Sequence, residues 1–404
     1  MIGAVDTQLI IEGLAFIFRF APLWVPIFLG IAFWRLWVKY RRTLFLKSKE
    51  PTLLEIRLPK EILKSPLAME TAMNVFFNTG GEGNFRDKYW KGGVRPWFSL
   101  EITSLEGQVK FFIWTWKDSI KAIQNQLYAQ YPNIEIVEVP DYALTFLYDK
   151  DKADIFGGEM ALNKADAYPI KTYIDYGLDR DPKEEYKTDP ITPIIEYMGS
   201  LGKGEQAWIQ ILIRAHKKED KKKGKWFEKT DHWQDGVKEE IKKIIEGRKI
   251  KGSEESGQIN LTPVEKDIIT ALERSVTKPG FDTGIRFIYL AETDFFSKAN
   301  KGALGGVFAQ FNANHLNGFK SVNKTEFDFK YQDPFGWRLA KKKREMFESY
   351  RLRSYFHPPH KRKHFVLNAE ELATIYHFPG GVAQTPTFGR IESRKAEPPM
   401  NLPV

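Results

Sequence analysis

Four of the seven histidines stand close together in the chain, at His357, His360, His364 and His377. Imidazoles at such spacing are a natural starting point for a zinc site. The run FHPPHKRKH argues against one. Arg351, Arg353, Lys361, Arg362 and Lys363 flank it, with no carboxylate or thiolate among the candidate ligands. Local positive charge opposes a cation, so these read as ordinary loop histidines. The absence of Cys excludes disulfides, thiolate metal sites and Cys nucleophiles. The paired carboxylates carry no clear acid–base signal either. Glu254 and Glu255 sit in a Gly/Ser-rich linker. Glu370 and Glu371 follow Asn368 at the start of a helix, where acids complement the helix dipole. A phosphate-cradling P-loop needs a Gly five residues before a Gly-Lys pair. Gly202-Lys203 has Tyr197 in that place and Gly224-Lys225 has Glu219. No H-E-x-x-H, no G-x-S-x-G and no post-strand G-x-G-x-x-G occurs. The expectation is a chain with no catalytic residues, no metal and no cofactor.

The net charge of +9 is concentrated. Residues 336–364 hold ten Lys/Arg and two Glu, a local excess of eight. GWRLAKKKREMFESYRLRSY reads as a helix with Leu339, Met346, Phe347 and Tyr350 on one side. Arg338, Lys341, Lys342, Lys343, Arg344, Arg351 and Arg353 form a basic patch over much of the rest. Such a patch suits anionic lipid headgroups or nucleic-acid phosphates. A solvated helix face is the plainer reading.

The first element of the chain reads as a membrane segment. Phe20–Val38 has one charge, Arg35, and about 20 apolar residues span a bilayer. Phe20, Trp24, Phe28 and Phe33 would face lipid. Trp34 and Trp37 would form an interfacial belt, with Arg41 and Arg42 at the headgroups. Pro22 and Pro26 predict a kink, and Ile10–Phe18 would lengthen the span or lie along the membrane. KYRRTLFLKSK follows with five basic residues and no acid, whereas the preceding 19 residues hold two acids and one base. The positive-inside rule then predicts a single-pass protein of the cytoplasmic (inner) membrane, its C-terminal body in the cytoplasm. A cleaved signal peptide would carry its charge before the apolar run.

From Pro51 the periodicity alternates between 2 and 3.6. Strand 53–58, helix 65–77, strands 97–103 and 108–114, helix 118–131 and strand 133–139 give the order βαββαβ. A loop at 80–93 joins the first helix to the second strand. The same order is expected again: strand 168–177, helix 189–202, strand 205–215, strand 284–292, helix 294–312, and a closing strand at 325–331 or 364–368. Helices at 226–248 and 262–276 make an insertion. The predicted class is therefore α+β, an N-terminal transmembrane helix followed by two ferredoxin-like modules, the second with a helical insertion. The predicted domains are 1–42 (anchor), 51–142, 150–335 with its insertion at 216–283, and 336–404 (basic helix and extended connector).

PWFSLEITSLEGQVKFFIWTWKDSIKAIQNQLYAQYPNIEIVEV, with its QLYAQYP run from Gln126 to Pro132, resembles the membrane-anchored N-terminal region of type IV secretion and conjugation ATPases of candidate-phyla bacteria. LNAEELATIYHFPG and PPMNLPV resemble the connector that, in that family, leads into a HerA/TraD-like P-loop motor. The resemblance covers about 50–140 and 280–404, and no residue here matches the motor motifs. It implies a scaffold that recruits a separate P-loop ATPase, in one or several copies. The docking residues it implies are Leu372, Tyr376, His377, Phe378, Pro379, Asn401, Leu402 and Pro403. A membrane-tethered nucleic-acid-binding protein is the alternative.

Overall fold

The computed structural model describes residues 15–16, 19–59, 64–146, 149, 153–179, 188–218, 220–221, 229–248, 261–327, 329, 331 and 333–380. The chain divides into two compact units, Met1–Glu50 with Gly80–Arg95, and Pro51–Thr79 with Pro96–Val404.

The first unit is built on helix α1, Ala21–Lys47, with 27 residues and none of them buried. Pro22 falls in its first turn, where a missing N–H costs nothing. At about 1.5 Å per residue the helix is roughly 40 Å long, more than the ~30 Å hydrocarbon core of a bilayer. It is long and apolar enough to cross a membrane, and it runs past the expected end at residue 42. Residues 80–93, expected as a loop, hold a π-helical turn, Arg86–Trp90. Arg41 Nε donates to the Trp90 carbonyl at 2.6 Å.

The second unit is a mixed helix and antiparallel-sheet fold. The strands of its main sheet are β1 (Pro51–Arg57), β2 (Phe98–Leu105), β3 (Gln108–Trp116), β4 (Glu135–Val139), β5 (Ala153–Leu162), β6 (Glu205–Ala215), β7 (Gly280–Glu292), β8 (Phe319–Val322) and β9 (Phe365–Asn368). They form one nine-stranded sheet in the order β8-β5-β7-β6-β2-β3-β1-β4, with β9 on the start of β7. The first four strands run β4-β1-β3-β2 and the next four β8-β5-β7-β6. The sheet is thus two copies of one pattern, joined edge to edge. The seam is the antiparallel β2–β6 pair, from Phe98 opposite Ile213 to Leu105 opposite Gln206.

Helices α2 (Pro66–Met73), α3 (Ile120–Gln130), α4 (Thr192–Gly199), α7 (Lys298–Gly306) and α9 (Ala369–Ile375) contribute to one large apolar core with Leu54, Ile102, Phe111, Ile211 and Phe287 of the sheet. Period-2 alternation puts that row on one face. The sequence supports the local ends: Ser65 Oγ caps α2 by accepting from the Leu67 N–H, and Pro66 opens the helix. On the opposite face, helix α8 (Trp337–Arg351) lays Met346, Phe347 and Tyr350 against Ile155, Trp208, Ile288 and Leu290. Helices α5 (His232–Gly247) and α6 (Pro263–Val276) form the inserted hairpin, packed through Val237, Leu272 and Ala167.

Three positions differ from expectation in the second repeat. Its first strand is Ala153–Leu162, not 168–177. Residues 173–179 form turns, and the Ile170 and Tyr173 N–H groups bond to the Glu371 and Thr374 side chains instead of to a strand. Its fourth strand is Phe319–Val322, neither of the two candidates. Phe365–Asn368 is a strand, but it is an extra one that pairs with β7 at Gly280–Thr283.

Candidate functional site

The residues predicted as the membrane anchor lie on α1. Phe20, Trp24, Phe28, Phe33 and Trp34 are exposed along the helix, while Trp37, Arg41 and Arg42 are half-buried. The turn at 86–90 accounts for that difference. Trp34 stacks on Phe85 and lies 5.6 Å from Tyr89 between centroids, and Trp37 meets Trp90 at 5.9 Å. Sequence reasoning missed this ring cluster. A usable signal was present in FRDKYWK, three aromatics among three basic residues inside a Gly-rich loop.

Helix α8 splits the predicted basic patch. Arg338, Lys341 and Arg344 are exposed, beside Phe335 at 86% and Trp337 at 67% exposure. Lys342 is half-buried over the Phe327 ring, Lys343 pairs with Asp154, and Arg351 lies over Phe347 at 5.5 Å. Arg353 does not belong to the patch at all, for it is 1% exposed. Its guanidinium forks onto Glu101 at 3.0 and 3.1 Å and also binds Asp141. Burial disfavours the charged guanidinium, but Glu101 and Asp141 outweigh it and raise its pKa.

The predicted docking residues are corrected in the same way. Leu372, Tyr376, His377, Phe378 and Pro379 are buried inside their own chain and offer a partner no surface. Tyr376 donates to the Phe112 carbonyl at 3.1 Å, and Phe378 packs edge-on to Phe111 and Tyr131. His377 lies 2.9 Å from Asp189. Aromatic anchors in an apparent connector fit a partner's pocket and a core equally well on sequence alone. Here the pocket is the protein's own sheet and α3. Asn401, Leu402 and Pro403 lie outside the described residues.

Between α8 and the sheet runs a buried ionic row. Glu101, Gln210, Arg286 and Glu159 stand opposite one another on β2, β6, β7 and β5. Glu101 accepts from Ser99, Tyr142 and Gln210 as well as from Arg353. Arg286 donates to Gln210 at 3.2 Å, to Glu159 at 3.0 Å, and to the Ser349 and Ser354 carbonyls. These contacts clamp α8 and the turn after it onto both repeats. The row's bonds run inward to other buried groups.

The four histidines are not brought to one place. His357 packs on Trp97, His364 lies 3.6 Å from Asp282, and His377 meets Asp189. His216, not singled out by sequence, sits between Asp282 at 2.6 Å and Asp231 at 3.3 Å. Burial lowers its pKa, but the two carboxylates more than reverse this and hold it raised. Glu371 is buried under backbone donors at Asn368 and Ile170, and desolvation pushes it up to about 8. Among the described residues no group of three or more His, Asp or Glu could hold a metal ion. Glu254 and Glu255 lie outside the described residues. Residues 84–389 match a family profile described as a domain of unknown function, DUF8128. No curated protein matches the chain.

Proposed function

The chain belongs to the DUF8128 family, and from its own geometry we propose that it is a non-catalytic, membrane-anchored docking component. Helix α1 spans the cytoplasmic membrane once, and a body of two ferredoxin-like repeats lies on the cytoplasmic side. The observation that carries this reading is α1 itself, a 27-residue apolar helix with no buried residue, on the same chain as a large folded sheet. A helix that leaves Phe20, Trp24, Phe28 and Phe33 exposed needs lipid, because apolar surface of that extent is costly in water. Support for a non-catalytic role comes from the ionic row, whose charges are spent on internal bonds.

The resemblance to the region ahead of a conjugation-type motor names the partner, a P-loop ATPase. The buried state of Tyr376–Phe378 moves the proposed contact away from residues 372–379, toward the segment after Gly380 or the exposed face of α8. The test is purification from native membranes in mild detergent, comparing the full chain with one ending at Gly380. A P-loop ATPase retained by the first and lost by the second is expected. Equal recovery removes the tail as the docking element, and recovery by neither removes the ATPase.

Exposed Arg338, Lys341 and Arg344 beside Phe335 and Trp337 favour a second reading, binding of nucleic acid by charge and stacking. The strand aromatics do not add to it, since Phe111 is buried under α3 and the connector and Phe112 is stacked on Tyr142. A DNA shift that weakens with salt and disappears on charge reversal at Lys341 and Arg344 would select this reading.

A further inference from the structure

We propose that Gly80–Arg95 is a lipid-interface collar, which seats Phe85, Tyr89 and Trp90 in the headgroup layer of an anionic bilayer around the C-terminal end of α1. The proposal rests on the membrane-spanning reading of α1 and adds a second membrane-contacting segment to it. Depth is the first argument. The rings of Phe85 and Tyr89 lie 6.1 and 5.6 Å from Trp34, and that of Trp90 lies 5.9 Å from Trp37. A helical turn rises about 5.4 Å. Whatever depth Trp34 and Trp37 take, these three rings share it to within about one turn. Trp34 and Trp37 close the apolar run at the point where the basic residues Lys39, Arg41 and Arg42 begin, which is the interface position for Trp.

Exposure is the second argument. Phe85 is 66% and Trp90 55% exposed, so among the described residues more than half of each side chain is left uncovered beyond its contact with α1. Arg86, Lys88 and Lys91 stand among the rings against the one acid Asp87, which Lys91 pairs at 2.8 Å. Apolar rings interleaved with cations match the boundary between acyl chains and anionic headgroups.

The segment is also fixed to the helix. Arg41 Nε holds the Trp90 carbonyl, and the Arg41 guanidinium lies 5.8 Å over Trp37. Gly92 has φ +73°, and a Cβ there would lie 2.4 Å from the Arg41 backbone. Only glycine permits that approach.

The chain has no Cys, so single reporters can be placed cleanly. Asn84→Cys and Lys91→Cys lie next to Phe85 and Trp90 and are exposed. Lys47→Cys, about 15 Å farther along α1 than Trp37, is the water-side control. Each full-length variant is labelled with an environment-sensitive fluorophore. It is then reconstituted into phosphatidylethanolamine–phosphatidylglycerol vesicles containing headgroup-spin-labelled lipid. Quenching at 84 and 91 severalfold above that at 47 is expected. Gly92→Val, or Arg41→Gln, should bring position 91 down to the level of 47 while the protein still floats with the vesicles at high pH. Protein that floats but shows equal, weak quenching at 84, 91 and 47 overturns the collar and leaves the span standing. Protein that fails to float overturns both. Undiminished quenching at 91 in both variants overturns the fastening.

Discussion

Arg353 lies inside the second unit with Glu101 on one side and Asp141 on the other. Removing one partner of a buried pair leaves a charge that cannot be hydrated. Arg353→Met is therefore expected to destabilise the body by about 3–5 kcal/mol, and adding Glu101→Gln should restore part of the loss. Denaturant unfolding of the wild type and the two variants in detergent measures this. A neutral Arg353→Met would mean the pair does not form. At this scale the sequence was misleading for a definable reason. In FSLEIT the apolar residues Phe98, Leu100 and Ile102 mark the core face, and alternation alone puts Glu101 on the other. Alternation reports which face a residue is on, not whether a second layer covers that face. The same gap placed Arg353 on a solvated helix side and Tyr376 and Phe378 in a partner's pocket.

The inserted hairpin α5–α6 tests the element scale. His216 directly follows the strand that leads into it, Asp231 caps α5, and Asp282 lies on the strand that leads out. Arg214 and His364 also face Asp282. The folded pKa of His216 is raised above its ordinary value of about 6.5. A group raised in this way stabilises fully below its unfolded pKa, and the benefit fades as pH rises through the folded one. The melting-temperature difference between wild type and His216→Gln should accordingly be largest near pH 6 and shrink toward pH 9. A difference that grows with pH contradicts the pairing. Most helices and the first repeat were legible, because Ser65-Pro66, Asn368 and the 3.6-residue stripes are local signals. Strand β5 was not, since Gly157-Gly158 reads as a turn. Its glycines answer to packing instead: a Cβ at 157 would lie 3.0 Å from Met346 Cγ, and one at 158 would lie 2.6 Å from the Phe287 ring.

For the whole molecule, the order β8-β5-β7-β6-β2-β3-β1-β4 makes each repeat the neighbour of the other along a full strand. The ionic row and the connector cross the same seam. The repeats should therefore unfold together. Tryptophan emission and a fluorophore at Lys320→Cys, in the outermost strand of the second repeat, are expected to report one coincident denaturant transition. Two separated transitions would mean the seam is weak. Strand β9 pairs with β7 of the second repeat, while Tyr376 and Phe378 fill the first. This closing piece leaves the ribosome after every other strand has been made. Until it arrives, Phe111 and Tyr131 remain open to water in a nascent body whose sheet is otherwise complete. A released chain cut just upstream of Phe365 would thus yield a sticky product in need of a chaperone, whereas one cut after Gly380 would not.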